Sequence, residues 1–446
     1  MPRRTALDVL KRVELDHAYS HIALANAFGA HLLSERDRGL ATELVYGTLT
    51  WQRTIDRMLD CFVRRGVESL DVPILIDLRL AIYQLVFLDR IPEHAIVDEA
   101  VNLAKEESGK GAGGLVNGVL RSILRSRADL KGWDEADRDK QPARYLAQRY
   151  SLPDWLAERF LSRHGFERAL AMAEAFTKRP ALFLRYLGDE PGIVDKLPEG
   201  VSVVEGLPGA FVAAGLSDAL RSGLEDYSWV VQDLGSQLVG WFADAERGQS
   251  VLDACAGLGG KTLALAEVVG SEGRVEAVEP NLGKVEKLQQ ALAATKLAGR
   301  VGVHQAMLQD FAKSGDRSFD IVLVDAPCTG LGVMRRHPEM RWRRSEDDIV
   351  ELVTIQRELL EAAAGLVKPG GVLVYSVCTF SGEEGPDQVA HFLKNHPEFE
   401  RAGAPKHANS AQIAWPRYLD ENSDMALNPL DHDADAFYAA RLRRKA

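Results

Sequence analysis

From about residue 229 onward, short apolar runs alternate with amphipathic stretches, and this alternation limits the possible folds more than any other feature of the chain. Residues 250–254, 274–279, 319–325 and 371–377 read as strands. Residues 261–269, 282–297 and 346–367 carry helical spacing, and 436–442 reads as a closing strand. Strands alternating with helices predict a parallel sheet covered on both faces, an α/β architecture of Rossmann-like type.

The order of elements places particular residues on one rim. The strand over 319–325 delivers Asp325-Ala326-Pro327-Cys328-Thr329-Gly330, and the strand over 371–377 delivers Cys378-Thr379. One helix joins them, opened by a Ser345-Glu346-Asp347-Asp348 capping box and closed at Lys368-Pro369-Gly370-Gly371. A crossover this short makes the two strands parallel and neighbouring. Both cysteines then sit at carboxyl ends, where open α/β sheets bind ligands.

The first strand runs straight into Asp253-Ala254-Cys255-Ala256-Gly257-Leu258-Gly259-Gly260-Lys261-Thr262. Glycines at a strand-to-helix turn let backbone approach a ligand. Glu279 ends the next strand, 20 residues after Gly259, where a carboxylate can accept hydrogen bonds from ribose hydroxyls. Together these predict a nucleoside-containing cofactor, either NAD or S-adenosylmethionine. The glycine spacing before Lys261-Thr262 is too short for a P-loop, so ATP is not expected.

A thiol pair, a carboxylate and S-adenosylmethionine together suit one reaction. Carbon 5 of cytosine is a poor nucleophile until a thiolate adds to carbon 6, and a base must later remove the carbon-5 proton. Asp325, Cys328 and Cys378 supply the required types, and the thiolate needs local positive charge or backbone dipoles. The other two cysteines read as packing residues: Cys61 lies between Asp60 and Phe62, and Cys255 supports the glycine turn.

These motifs resemble the RNA cytosine-C5 methyltransferases, within them the Fmu/Sun-type bacterial enzymes acting on small-subunit ribosomal RNA. The matching residues are Asp253 to Thr262, Asp325 to Gly332, Arg336-His337-Pro338-Glu339 with Trp342, Tyr375 to Thr379, and the lead-in Gln232 to Leu238. The resemblance implies S-adenosylmethionine as cofactor, Cys378 as nucleophile, Cys328 assisting proton abstraction or adduct release, and Asp325 contacting the base. It implies that the Gly257–Lys261 turn and Glu279 hold the cofactor, with Asp253, Cys255, Ala256, Leu258, Gly259, Gly260 and Asp325 around it. The chain departs from the family pattern in two places. Gly257-Leu258 stands where the family usually has Ala-Pro, and the expected adenine-side aspartate is replaced by His304-Gln305-Ala306-Met307, leaving Asp310 as the nearest acid.

Residues 1–140 read as all helix, with a Ser34–Asp37 capping box, Pro73 and Pro92 opening helices, and a fourth apolar stripe through Val116, Val119, Leu120 and Ile123. Arg38-Gly39-Leu40, the run Ile91 to Val101, and Leu115 to Leu120 resemble the NusB family of helical RNA-binding domains. Residues 129–142, charged and containing Gly132 and Pro142, read as a linker. The expected plan is a NusB-like domain over 1–140, a small α+β connecting module over 141–228, and the methyltransferase domain over 229–446.

Charge does not point to nucleic acid as a whole. The net charge is -11, and residues 1–140 hold 20 Lys/Arg against 22 Asp/Glu, so RNA contact needs a local cluster. Arg335, Arg336, Arg341 and Arg343 around His337 and Trp342 form one such cluster, suited to tracking phosphates and stacking a base. No run approaches the ~18 apolar residues that span a bilayer, and the start at Met1-Pro2-Arg3-Arg4 is no signal core. The four cysteines fit no structural zinc site. A cytoplasmic enzyme acting on ribosomal RNA is expected, with no membrane, no metal and no obligate protein partner. Transfer RNA as substrate, or an inactive RNA-binding assembly factor, are the alternatives.

Overall fold

The computed structural model describes residues 1–446 except 31–32, 127–136, 189–191, 408–409 and 411. Most of the expected linker over 129–142 therefore lies outside the described residues. The chain divides into two compact units: residues 1–178 with 334–344, and residues 179–333 with 345–446.

The first unit is helical. Helices α1 (Pro2–Leu15), α2 (Ser20–Ala30), α3 (Glu35–Thr50), α4 (Gln52–Asp60), α5 (Val72–Phe87), α6 (Glu93–Ser108) and α7 (Lys110–Arg125) share one apolar core. Local signals start them where the sequence predicts. Ser34 caps α3 by accepting from Asp37 N–H, and Pro73 opens α5. Helix α5 is apolar on most sides and buries Leu78, Leu80 and Ile82 completely, as a central helix must. Helices α8 (Pro142–Arg149) and α9 (Asp154–Ala175) also belong here, α9 broken at Gly165, whose φ is +68°. They join because Thr54 Oγ1 donates to the Gln148 carbonyl (3.0 Å) and Arg53 N–H to Ser151 Oγ (3.0 Å).

The second unit carries two sheets. The smaller is antiparallel, in the order β2 (Val201–Val203), β3 (Ala210–Ala213), β1 (Leu182–Tyr186), β4 (Trp229–Val231). Gln237 Nε2 donates to the Leu184 carbonyl (3.1 Å), and Phe183 and Leu207 pack into the core shared with α11 (Leu234–Phe242). The expected connecting module over 141–228 is thus divided: helices α8 and α9 join the first unit, and its strands, with helix α10 (Asp218–Glu225), the second.

The larger sheet runs β10 (Phe399–Arg401), β12 (Tyr438–Arg444), β9 (Val367–Val377), β8 (Phe319–Asp325), β5 (Ser250–Asp253), β6 (Arg274–Val278), β7 (Val301–His304), with β11 (Met425–Ala426) beside β12. Strands β5 to β9 are parallel, and β12 closes the sheet antiparallel to β9. Alternate residues face opposite cores. Ile321, Leu323, Val372 and Val374 pack with α11, α12 (Gly260–Val269) and α13 (Leu282–Ala294). Val322, Val324, Leu373 and Tyr375 pack with α14 (Leu308–Lys313), α16 (Glu346–Ala364) and α17 (Pro386–Asn395). Both faces are covered, which is why the strands read as continuous apolar runs. The strand order reverses at β5, with β6 on one side and β8 on the other, opening a crevice at their carboxyl ends.

Candidate active site

The glycine turn at that crevice shows why each glycine stands there. Gly259 has φ +88°, and a Cβ on it would meet Leu288 Cδ1 at 2.2 Å, so close packing on α13 demands glycine. Gly257, at φ +57°, faces open space where a Cβ would stand, leaving room for a ligand against the backbone. Glu279, buried at the end of β6, accepts Gly257 N–H at Oε2 (3.0 Å) and Asn281 N–H at Oε1 (2.9 Å). An open glycine turn backed by a fixed carboxylate fits a nucleoside-containing cofactor. Gly257, its neighbouring amides and Glu279 are the residues that would hold it.

The other residues around this turn fall into different places. Asp253 is buried under it, accepts from Thr262 Oγ1 (2.7 Å), and burial pushes its carboxyl up to about 6 against that bond. It fastens strand to helix. Burial pushes the Cys255 thiol up, so this sulfur stays a neutral support. Ala256 N–H donates to the Val278 carbonyl (3.0 Å), Leu258 is 58% exposed, and a Cβ on Gly260 would stand 3.4 Å from Gln232 Nε2. Asp310 is exposed in the first turn of α14.

The two strand ends β8 and β9 are locked in register, Asp325 opposite Ser376, with Ala326 N–H donating to the Ser376 carbonyl (2.9 Å). That register brings Cys328 Sγ and Cys378 Sγ to 3.2 Å, sharing a hydrogen bond. The bond to Cys378, and then burial, hold the Cys328 thiol well above its ordinary range. Cys328 therefore resists losing its proton. Beside the pair, Lys261 Nζ donates to Asp325 Oδ2 (2.5 Å), and Ser376 Oγ donates to Asp325 Oδ1 (2.7 Å). Burial alone would lower the Lys261 ammonium, but Asp325 more than offsets it, with Asp253 and the Cys378 sulfur adding to the pull. Lys261 is thus a buried positive charge serving a carboxylate and a thiol, not a phosphate.

A buried network behind the cysteines escaped the sequence reading. Glu384, fully buried, accepts Thr329 N–H (2.8 Å) and Thr329 Oγ1–H (2.6 Å), and Gln356 Nε2 donates to it (3.1 Å) and to the Pro327 carbonyl (3.0 Å). The hydroxyls of Thr329 and Thr379 share a hydrogen bond of 3.1 Å. Each threonine follows a cysteine directly, so Glu384 clamps both sulfur-bearing loops. Gly332 closes the clamp: its N–H donates to the Cys378 carbonyl (3.0 Å), and a Cβ there would strike the Ala436 carbonyl at 2.1 Å. One signal was readable. Gln356 is a polar residue inside the apolar stripe Ile349, Leu360, Ala363 of α16.

The expected basic patch corrects differently. Residues 334–344 belong to the helical unit, where their side chains reach helix ends. Arg341 is fully buried and donates to the carbonyls of Thr50 (3.4 Å), Ser151 (3.4 Å), Phe176 (3.2 Å) and Met334 (3.5 Å). Trp342 Nε1 donates to the Leu49 carbonyl (2.7 Å), and Arg343 Nη2 to those of Val13 and Ala18 (2.7 Å each). Orphan carbonyls and the negative dipole end of a helix attract cations, and these donors answer the ends of α1, α3 and α9. Glu339 accepts from Ser20 N–H (3.0 Å) and Oγ–H (2.9 Å) at the start of α2. Arg335 is buried and Arg336 half-buried. Burial pushes His337 down to about 4, against Glu339 and with His21 and Arg336, and pushes Arg341 down to about 10. Arg335, Arg341, Trp342 and Arg343 are thus turned inward, and no phosphate-tracking surface is formed by them.

Comparisons with known proteins agree with this layout. The profile of the 16S rRNA methyltransferase RsmB/F family matches residues 241–443, and that of the NusB family matches residues 1–125. The ribosomal RNA small subunit methyltransferase B of Thermus thermophilus is 34% identical over 444 residues, 99% of this chain and 98% of that protein. The protein of the same name from Shewanella oneidensis is 30% identical, covering 92% of each. The crystal structure of PH0851 superposes with a TM-score of 0.81 at 25% identity, over 100% of this chain and 99% of that one. Fold and site together define an S-adenosylmethionine-dependent RNA methyltransferase with a NusB-like amino-terminal region. The chain belongs to the RsmB/F family of 16S rRNA methyltransferases. No described helix is long and apolar enough to cross a membrane.

Proposed function

We propose that the enzyme methylates carbon 5 of a cytosine in small-subunit ribosomal RNA through a covalent adduct on Cys378. The observation that carries this reading is the 3.2 Å sulfur pair beside the Lys261–Asp325 ion pair. A thiol that keeps its proton, next to a second thiol and a buried ammonium, suits a nucleophile that must cycle between free and bound forms.

In this reading, Cys378 sulfur adds to carbon 6 of the base. The ring π electrons shift toward nitrogen 3; the Cys378 thiol proton passes to Asp325, held in place by Lys261 and Ser376, and on to nitrogen 3, which returns it through Asp325 to solvent when the adduct collapses. Carbon 5 becomes an enamine carbon able to act as nucleophile. S-adenosylmethionine, when bound, supplies the methyl group. Cys328 then hands its proton to the departing Cys378 sulfur and takes the carbon-5 proton, so that the carbon 5–carbon 6 double bond returns and the carbon–sulfur bond breaks. A cytosine within a helix must flip out to reach the sulfur.

The test uses labelled S-adenosylmethionine and purified small-subunit RNA. Cys378→Ala should lose methyl transfer, and Cys328→Ala should accumulate a covalent RNA adduct, visible as a slow band on a denaturing gel. Full activity of both variants, with no adduct, sinks the reading. Transfer RNA run in parallel separates the two substrate classes.

A further inference from the structure

The inward turn of residues 335–343 leaves open which surface receives the RNA backbone. With a net charge of -11, the protein as a whole repels a polyanion, so contact needs a place where cations outnumber carboxylates locally. A cleft of about 420 Å³ in the helical unit meets this condition. It is lined by Arg53, Arg57 and Asp60 from along α4, by Cys61 just past its end, and by Arg144 and Gln148 from α8.

The spacing explains the convergence. Arg53, Arg57 and Cys61 recur every four residues on one face of α4, and Arg144 and Gln148 do the same on α8. Asp56, on another face of α4, is taken up in a bidentate pair with Arg79 (2.7 and 2.8 Å). Within the lining, three guanidinium groups face one carboxylate, and Asp60 Oδ1 is already accepting Val67 N–H (2.8 Å). Arg53 is held in place: Nη1 donates to the Leu152 carbonyl (2.8 Å) and Nη2 to Asp154 (2.7 Å), two of its five N–H groups. Arg144 is exposed and steadied by Gln141 (3.2 Å). A fixed guanidinium facing further arginines and an amide is a pocket in which donors outnumber acceptors, which suits phosphate oxygens. The volume exceeds what one phosphate needs and suits a stretch of sugar-phosphate backbone.

We infer that the cleft between α4 and α8, built on Arg53, Arg57 and Arg144, is a docking site for the phosphate backbone of the substrate RNA. This rests on the reading of the protein as a ribosomal RNA methyltransferase and names where the helical unit holds that RNA. Phosphate contacts of this kind position a substrate without reading its sequence.

The full-length protein with Arg57→Ala and Arg144→Ala, singly and combined, tests it against small-subunit RNA over a range of salt. The double variant should bind about tenfold more weakly at ~0.1 M salt, and its plot of log affinity against log salt should flatten by about 1 to 2, one step per lost phosphate contact. The loss should appear in KM rather than kcat. Arg57→Lys with Arg144→Lys should recover most of the slope. An unchanged slope in a double variant with wild-type melting temperature overturns the inference, as does wild-type protein that fails to bind RNA. Inorganic phosphate or a mononucleotide that occupies the cleft as tightly as RNA makes it a small-anion site and overturns it too. If wild type binds RNA with the expected slope but transfers no methyl group, the methyltransferase reading fails and the docking site stands.

Discussion

Two neighbouring stretches of chain, residues 325–332 and 334–344, carry the densest chemistry in the sequence, yet they end in opposite environments. The first presents Cys328 at a strand end, 3.2 Å from Cys378. The second buries Arg341 among four carbonyls of the helical unit. The cysteines follow strands whose mutual register is set by the sheet ladder, so position along the chain decides position in space. Arg341 and Arg343 lie in a single helical turn, α15 (Met340–Arg343), whose placement no ladder fixes. Their charge reads as solvated until helix ends with unmet carbonyls claim it. A functional residue type is therefore informative where sheet register fixes the segment that carries it, and far less so where only packing between distant segments does.

Substitutions in each stretch separate the two environments. The largest effect belongs to the sulfur pair: Cys378→Ser should lower kcat on the order of 10³-fold or more while S-adenosylmethionine still binds, measured by labelled methyl transfer and calorimetry. A variant within tenfold of wild type would mean that a group other than Cys378 is the nucleophile.

Glu384→Gln comes next. The amide keeps the shape of the side chain but replaces one acceptor of the Thr329 pair with a donor, loosening both cysteine loops. We expect kcat down roughly 30-fold, about 2 kcal/mol, with KM for RNA within twofold, and a changed pH profile because Glu384 also acts on the Cys328 thiol. A matching fall in melting temperature with an unmoved pH profile would reduce Glu384 to a packing role.

Arg341→Met should behave in the reverse way. It leaves helix-end carbonyls without donors and should cost about 2 kcal/mol of unfolding free energy in urea melts. The salt dependence of RNA binding should not change. A lowered salt slope with unchanged stability would restore Arg341 as a phosphate contact.

The smallest effect concerns pH. His337 is held down to about 4 in the folded protein, from an ordinary 6.5, by burial in the face of Glu339. Its folded form resists the proton, so the stabilisation is complete above pH 6.5 and is lost as pH falls through the window from 6.5 to 4. Between pH 6.5 and 5.5 the loss should approach about 1 kcal/mol. His337→Gln should flatten that stretch of the stability curve. Parallel curves for variant and wild type would show that another group titrates.

Much of the architecture was legible because it follows from local rules. The Ser345–Asp348 capping box, Pro73 at the start of α5 and the apolar runs of β5, β8 and β9 each declare their element within a few residues. The candidate site was legible where strand ends carried it: Cys328, Cys378, Asp325, the glycine turn and Glu279. Glu384 was not, since a buried carboxylate is recognisable only once its partners surround it; Gln356, polar within the apolar stripe of α16, was the one signal of that network. The unit boundaries were not legible either. Helices α8 and α9 join the first unit through hydrogen bonds from Arg53 and Thr54, nearly a hundred residues earlier.

By itself, then, the sequence determined the alternation of strands and helices, the helical amino-terminal region, and the chemical types delivered to the carboxyl rim, because period, caps and crossover handedness act over short stretches of chain. Tertiary structure alone decided which arginines face water, which carboxylate ties the two cysteine loops, and where residues 141–178 and 334–344 belong. Those outcomes depend on which polar groups become buried together, and the cost of leaving a buried donor or acceptor unmatched is settled only when distant segments meet.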